Sequence, residues 1–124
     1  MRSLSAAIAA FGLVFLSASA HAQRVPRLLS VDNLTQVSPH VWMITGSPNI
    51  AIVVGRKATL VVDNGLGTKN GKIVADAALR LSPKGTKLYL TTTHYHAEHA
   101  TGDGGFPPGT ILVRPRVQQA ELES

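Results

Sequence analysis

Two apolar runs, residues 50–54 and 58–62, constrain the fold of this chain more than any other feature of its sequence. Both runs are rich in β-branched residues, and only the three residues Gly-Arg-Lys separate them. Short apolar runs joined by a three-residue loop that contains glycine are typical of a β-hairpin. The sequence therefore predicts a sheet built around this hairpin, with residues 41–45 as an earlier short strand.

A helix and further strands are predicted downstream of the hairpin. In residues 69–82 apolar side chains recur at i, i+4 and i+8, so they form one stripe of a helix that a proline and a glycine end. Residues 87–93 and 110–113 are predicted strands, and residues 116–124 resemble the beginning of a second helix. A strand–helix–strand unit after a hairpin predicts an α/β fold in which one helix covers one face of a mixed sheet. The opposite face is also apolar and lacks a predicted covering element.

The beginning of the chain has the pattern of an export signal. Arg2 precedes the apolar run 6–16, and residues 20–22, Ala-His-Ala, match a small-x-small cleavage site. The run is too short to span a bilayer, which takes about 20 residues. We therefore expect a Sec-type signal peptide over residues 1–22, cut after Ala22. The mature chain would be periplasmic or secreted, with no stable membrane anchor.

Composition limits the partners of the mature chain. The formal net charge is +5 for the full chain, or about +4 once Arg2 is removed with the signal peptide, but the basic residues are scattered and no aromatic residues are interleaved to stack bases, so nucleic-acid binding is not expected. No cysteine is present, so disulfides cannot stabilise the exported chain. Residues 23–40 are polar and predict a lead-in segment with little periodic pattern, and residues 41–124 form the folded, partial domain. Because disulfides are excluded, stability must come from a core or from a metal ion.

The residues that carry chemistry are concentrated in the run 93–99, whose sequence is THYHAEH. Alternate residues of a strand point to one face, so His94 and His96 can present two imidazoles to one cation from the end of a strand. Glu98 and His99 follow at the point where the strand is expected to give way to a loop. Neutral imidazole with carboxylate is typical ligand chemistry of zinc, and it also suits iron or manganese. We predict a metal site formed by His94, His96, Glu98 and His99.

The segment 93–102, THYHAEHATG, resembles the His-x-His-x-Asp-His motif of the metallo-β-lactamase superfamily. The upstream context agrees, because residues 47–50, SPNI, open the hairpin and residues 60–65, LVVDNG, end its second strand. The resemblance covers residues 41–113. It implies the amino-terminal half of an αβ/βα sandwich, with metal ions held by loops at one edge of the sheets.

The resemblance also implies a role for each residue of the site. His94 and His96 would bind a first metal ion, and His99 would bind a second together with Glu98. Asp63 would lie at the sheet edge beneath the site and accept a hydrogen bond from a ligand, although a turn-forming strand cap is an alternative role. Water activated by the metal would attack an ester, thioester or amide of a small-molecule substrate, and Glu98 could orient that water or move a proton.

Two departures from the superfamily pattern change these expectations. Glu98 stands where the motif has aspartate and adds one methylene, about 1.5 Å of reach, which favours a single metal ion or a weakly held second one. The remaining ligands of the superfamily come from the second half of its chain. Here the other histidines are His21, in the predicted signal peptide, and His40, an expected exposed lead-in residue. We therefore expect a truncated hydrolase whose activity alone is absent or very low.

Two other functions remain open from the sequence. A non-catalytic metal-binding or assembly module could pair its exposed sheet face with another chain, because large exposed apolar faces mark interfaces or aggregation-prone surfaces. A structural envelope protein with incidental histidines would take up no zinc. Solution mass and zinc content distinguish these functions from a truncated hydrolase.

Overall fold

The computed structural model describes residues 27–124, which form a mixed sheet of six strands that follow one another in chain order. The first four strands pair antiparallel, whereas β4, β5 and β6 pair parallel. The strands are β1 Leu34–Ser38, β2 Val41–Ile44, β3 Ile50–Val54, β4 Ala58–Val62, β5 Lys87–Thr91 and β6 Ile111–Leu112. The helices are α1 Gly67–Leu81, α2 Ala97–Ala100 and α3 Arg116–Glu123.

The predicted α/β class with a mixed sheet is confirmed, and the largest differences from the prediction are at β1 and at the end of β5. The hairpin of β3 and β4 has the predicted bounds, and α1 lies where the apolar stripe placed it. β1 lies in the segment predicted to have little periodic pattern. Its side chains are mostly exposed because it is an edge strand, so its sequence lacks an apolar alternation. β5 ends at Thr91, two residues earlier than predicted.

One face of the sheet and α1 together form the hydrophobic core. Apolar side chains from β2, β3, β4 and β5 are buried against the apolar stripe of α1. The stripe is built largely from small residues, so the helix lies close to the sheet. The core residues of α1 and the sheet include Ile44, Ile52, Val61, Val74, Ala77, Ala78 and Leu90.

The lead-in segment closes one end of this core. The buried side chain of Leu29 joins the core cluster. Its N–H donates to Oδ1 of Asn70 at 2.7 Å. Asn70, itself buried in α1, donates from Nδ2 to the carbonyl oxygens of Arg27 and Leu66. One buried amide therefore fixes both the lead-in segment and the first turn of α1.

The opposite sheet face is apolar and open. The strand register places five side chains in a row across five strands, and all five are partly or largely exposed in the described residues. The register itself explains the row, because paired residues of neighbouring strands point to the same face. The row consists of Val41, Val53, Leu60, Tyr89 and Ile111.

The predicted signal peptide, residues 1–22, lies outside the described residues. Within residues 27–124, no helix combines the length and the apolar character needed to cross a membrane.

Candidate metal site

The segment 93–102, which we call the histidine segment, begins at the sheet edge where β4 and β5 both end. Because these strands are parallel, their carboxyl ends meet at one edge, and Asp63 emerges next to Thr93. The N–H of Asp63 donates to the carbonyl of Thr91 at 2.9 Å, which continues the pairing by one residue. The backbone of Asp63 then enters the left-handed region, with φ of 67°. Aspartate tolerates this conformation better than most residues.

The prediction that His94 and His96 project from a strand end is wrong. β5 ends at Thr91, residues 93–95 form bends, and His96 caps the amino end of α2. Glu98 and His99 lie within this single-turn helix, and not in a loop. The strand stops because the left-handed turn at Asp63 removes its backbone partner on the β4 side.

The structure nevertheless brings three of the four predicted ligands together. The ring centroids of His94 and His99 are 4.0 Å apart, and those of His94 and His96 are 4.6 Å apart. Bends followed by a helical turn thus gather the imidazoles of His94, His96 and His99 in one cluster. We call these three rings the imidazole cluster.

Asp63 lies beneath the imidazole cluster and is bonded to it. Its carboxylate is buried, and Oδ2 lies 2.8 Å from Nδ1 of His99. The backbone N–H of Thr93 donates to Oδ1 of Asp63 at 2.7 Å. Asp63 therefore occupies the sheet-edge position that the sequence predicted. Its bond to Nδ1 leaves Nε2 of His99 as the ring nitrogen available to a ligand.

Thr93 is a residue of the site that the sequence analysis missed. Its hydroxyl lies 3.0 Å from both carboxylate oxygens of Asp63 and 3.0 Å from Nδ1 of His94. A hydroxyl has a single proton, so when it donates to Asp63 it accepts from Nδ1 of His94. That arrangement leaves Nε2 of His94 unprotonated, as a metal ligand requires. The only signal in the sequence was its place directly before His94.

Glu98 is not joined to the imidazole cluster in the same way. It is exposed on α2, and the described part of the chain gives its carboxylate no hydrogen bond or ion pair. Its assignment as a metal ligand and as a catalytic residue therefore stays a prediction.

The imidazole cluster fits zinc in its chemistry but is not arranged as a finished metal site. Within residues 27–124, no three His, Cys, Asp or Glu side chains are grouped so that they could hold one metal ion. The planes of the His94 and His99 rings are tilted by 46° relative to each other. His96 is exposed and His94 is partly exposed, so side-chain rotation meets little packing. Imidazoles are common ligands of zinc, and a carboxylate that hydrogen-bonds to a ligating imidazole, as that of Asp63 does to His99, is a common partner of such ligands.

Backbone contacts between glycines hold the histidine segment against α1. A Cβ atom built at Gly71 would lie 1.7 Å from the carbonyl oxygen of Gly102, and one built at Gly105 would lie 2.2 Å from the backbone nitrogen of Lys72. The hydroxyl of Thr101 also accepts from the N–H of Gly67 at 3.0 Å. The glycine-rich loop, residues 102–105, is thus a packing surface for α1, which fixes the position of α2.

We expect replacement of Asp63 by alanine to destabilise the metal-free chain by about 2–4 kcal/mol, because buried donors lose their acceptor. Asp63→Asn should cost less, since asparagine also tolerates a positive φ and keeps an oxygen for the N–H of Thr93. Urea unfolding measures both changes. Asp76→Ala, at an exposed position of α1, is the control and should change stability by about 0.5 kcal/mol or less. Equal effects of Asp63→Ala and Asp76→Ala would contradict a supporting role for the carboxylate.

Comparison with known proteins gives matches among solved structures alone. No protein-family model and no curated protein matches the sequence. A sec-alkyl sulfatase double mutant is similar over 73% of this chain and 16% of its own length, with 18% identity and a TM-score of 0.60. A mutant metallo-β-lactamase from Cronobacter sakazakii is similar over 72% of this chain and 36% of its own, with 15% identity and a TM-score of 0.59.

A third similar structure is a B3 metallo-β-lactamase described as having an active-site glutamic acid. It shares 16% identity over 71% of this chain and 34% of its own, with a TM-score of 0.54. The chain thus spans about a third of the two metallo-β-lactamases and a smaller share of the sulfatase. At such identities the likeness concerns the fold, and on that basis the described residues form part of the metallo-β-lactamase fold, as the sequence resemblance implied.

Proposed function

We propose that this chain is the metal-binding part of a zinc-dependent hydrolase that acts on an ester, thioester or amide. The observation that carries the proposal is the imidazole cluster with the buried carboxylate of Asp63 behind it. The likeness in fold to metallo-β-lactamases supports the hydrolase class. The proposed metal content is one or two zinc ions, with iron or manganese as substitutes.

Each residue of the site has a distinct part in this proposal. Bound zinc supplies a reactive nucleophile from water near neutral pH and polarises the substrate. His94, His96 and His99 would hold the ion through imidazole nitrogens, and Asp63 fixes the ring of His99 by accepting from its Nδ1. The exposed carboxylate of Glu98 can hold or move a proton at the edge of the metal site. A B3 metallo-β-lactamase described as having an active-site glutamic acid supports glutamate in a site on this fold.

The proposed hydrolase is larger than the described region. The chain covers about a third of the metallo-β-lactamases that it matches, and one face of its sheet is open. The three imidazoles could bind a single ion once their side chains rotate toward one point, but a two-metal site needs further ligands. We therefore propose that this chain alone hydrolyses its substrate very slowly or not at all.

The cellular location of the protein is proposed from its sequence. The signal-peptide pattern of residues 1–22 favours export to the periplasm or the medium. A small-molecule substrate is proposed because the resemblance implies attack by metal-activated water on a small ester, thioester or amide. The imidazole cluster lies at the sheet edge where that reaction would take place.

Zinc binding and hydrolysis by the full chain test the proposal. We expect uptake of at least about one equivalent of zinc, a number that follows from one three-ligand site, measured by competition with a colorimetric chelator. A chromogenic β-lactam, an aryl ester and a thioester should be hydrolysed at or near the background rate. Any turnover should disappear with chelator and return with zinc.

Two results would contradict this proposal in different ways. Absence of zinc uptake would refute the metal site. Turnover at ordinary enzyme rates would instead show that the described region needs no further ligands, and the proposed incompleteness would be wrong.

The row of apolar side chains on the open sheet face favours a second candidate function. A non-catalytic assembly module would bury this row, which includes Val53 and Leu60, against another copy of the chain. The solution mass distinguishes the candidates. A stable dimer that binds zinc at its subunit boundary favours the module, whereas an aggregation-prone monomer favours part of a hydrolase.

A further inference from the structure

Asn64, Asp103 and Arg114 form a second polar network next to the histidine segment. The guanidinium of Arg114 donates two N–H groups to the two carboxylate oxygens of Asp103, one of them at 2.6 Å. The Arg114 side chain is only 3% exposed. Asn64 is fully buried and donates from Nδ2 to the same carboxylate. The network therefore joins three places in the fold: the turn after β4, the glycine-rich loop and the second residue beyond β6.

Asn64 connects this network to His99. Its backbone N–H donates to the carbonyl of His99 at 3.0 Å, and its Oδ1 accepts from the N–H of Gly102 at 2.8 Å. These two bonds hold the carboxyl end of α2 on both sides of Ala100. The neighbouring residue Asp63 holds the imidazole of the same histidine. The backbone and the ring of His99 are therefore fixed by consecutive residues of one turn.

The parallel part of the sheet brings the distant members of the network together. The N–H of Val113 donates to the carbonyl of Leu90 at 2.8 Å, which extends the pairing of β6 with β5. Arg114 follows directly and so reaches the sheet edge where β4 also ends. Asp103 lies on the glycine-rich loop that packs on α1. The position of Arg114 depends on the fold and not on nearness in sequence.

A nearly buried arginine needs a reason beyond stability. Removing a guanidinium from water is costly, and an apolar replacement of a buried ion pair is often neutral or stabilising. The forked donor geometry of arginine, in contrast, fixes a carboxylate in two directions at once. Here the fixed carboxylate of Asp103 orients the amide of Asn64, and Asn64 holds α2. The network is thus suited to setting the geometry of the histidine segment.

We propose that Arg114, Asp103 and Asn64 act as a positioning clamp that fixes the backbone of His99 and thereby orients its imidazole toward a metal ion. The inference rests on the proposed metal-binding function. None of the three residues needs to touch the metal ion, since each acts through the next. Lysine cannot reproduce the fork of Arg114, so Arg114→Lys weakens the clamp while the positive charge is kept.

The test compares Arg114→Lys with Asp76→Asn in the full chain. Asp76→Asn removes an exposed ion pair with Lys72, whose atoms are 3.1 Å apart on α1. In the metal-free protein, we expect Arg114→Lys to speed hydrogen exchange of the Asn64 and Gly102 amides by about tenfold, as partial loss of the clamp opens this segment locally. Zinc affinity should fall by about tenfold, which is at the low end of the loss expected when a residue that orients a metal ligand is changed. The absorption spectrum of the cobalt-substituted protein should shift, whereas Asp76→Asn should leave all three measurements unchanged.

The outcomes separate a positioning role from a structural one. A lower melting temperature with unchanged zinc affinity and an unchanged cobalt spectrum would overturn the clamp, as would unchanged exchange of both amides. If Arg114→Lys does not fold, Asp103→Asn is measured in the same way and judged by the same criteria. If the unsubstituted chain takes up no zinc, the proposed function is wrong, and the exchange rates alone decide whether the network holds the segment.

Discussion

Replacing Gly71 by alanine is expected to destabilise the described region by about 4 kcal/mol or more, or to prevent its folding. The added Cβ would lie 1.7 Å from the carbonyl oxygen of Gly102 and within 3 Å of two further backbone atoms of that residue. Backbone cannot rotate away as a side chain can, so α1 and the histidine segment would have to separate. In a helix without this contact, the same substitution would stabilise by about 0.5–1 kcal/mol.

Gly104→Ala is the matched control for this prediction. It introduces the same methyl group in the loop that faces α1, but the nearest atom is the hydroxyl of Thr68 at 3.2 Å, which belongs to a side chain. We expect a change of about 1 kcal/mol or less, typical of a tolerated substitution. Thermal and urea unfolding measure both variants. Similar stability of the two variants would show that the glycine contact with α1 is not required.

The double substitution of His94 and His96 by alanine is expected to lower zinc affinity by more than about 100-fold, because lost ligands cost more than lost outer partners do. His99 would then be the one imidazole of the cluster left to hold the ion. Both side chains are partly or fully exposed and neither belongs to the hydrophobic core, so the fold should remain. Zinc content after dialysis and chelator competition measure the change.

His40→Ala is the control for the histidine substitutions. His40 is exposed in the turn between β1 and β2, and its carbonyl, which alanine retains, accepts from the N–H of Val54. The His40→Ala substitution should therefore leave zinc uptake unchanged. Unchanged zinc content in the double variant, with a native circular dichroism spectrum, would instead show that the imidazole cluster does not bind metal.

The elements best predicted from the sequence are those whose pattern is set by the core. β3 and β4 are short apolar runs, and α1 repeats apolar side chains on the side that faces the core. β1 lacks this signal because it is an exposed edge strand. The end of β5 was misplaced because the strand stops at Thr91, where the backbone of Asp63, far earlier in the chain, turns away. A tertiary contact, and not local propensity, decides that boundary.

The site was predicted in its composition and only in part in its geometry. The grouping of His94, His96 and His99 follows from their closeness in sequence, although α2 was not predicted and the strand placement was wrong. Asp63 could be placed through the family resemblance. Arg114 could not, because it reaches Asp103 through the order of parallel strands. No local pattern distinguishes a buried arginine of this kind from an exposed one.

The adjacency of Asp63 and Asn64 restricts how this protein can vary. Connections between strands and helices usually tolerate changes in length. Here one residue fixes the ring of His99 and the next fixes its carbonyl, so inserting or deleting a single position after β4 would exchange or remove both contacts. Any transfer of this histidine segment to another scaffold must therefore carry the end of β4 with it, at unchanged spacing.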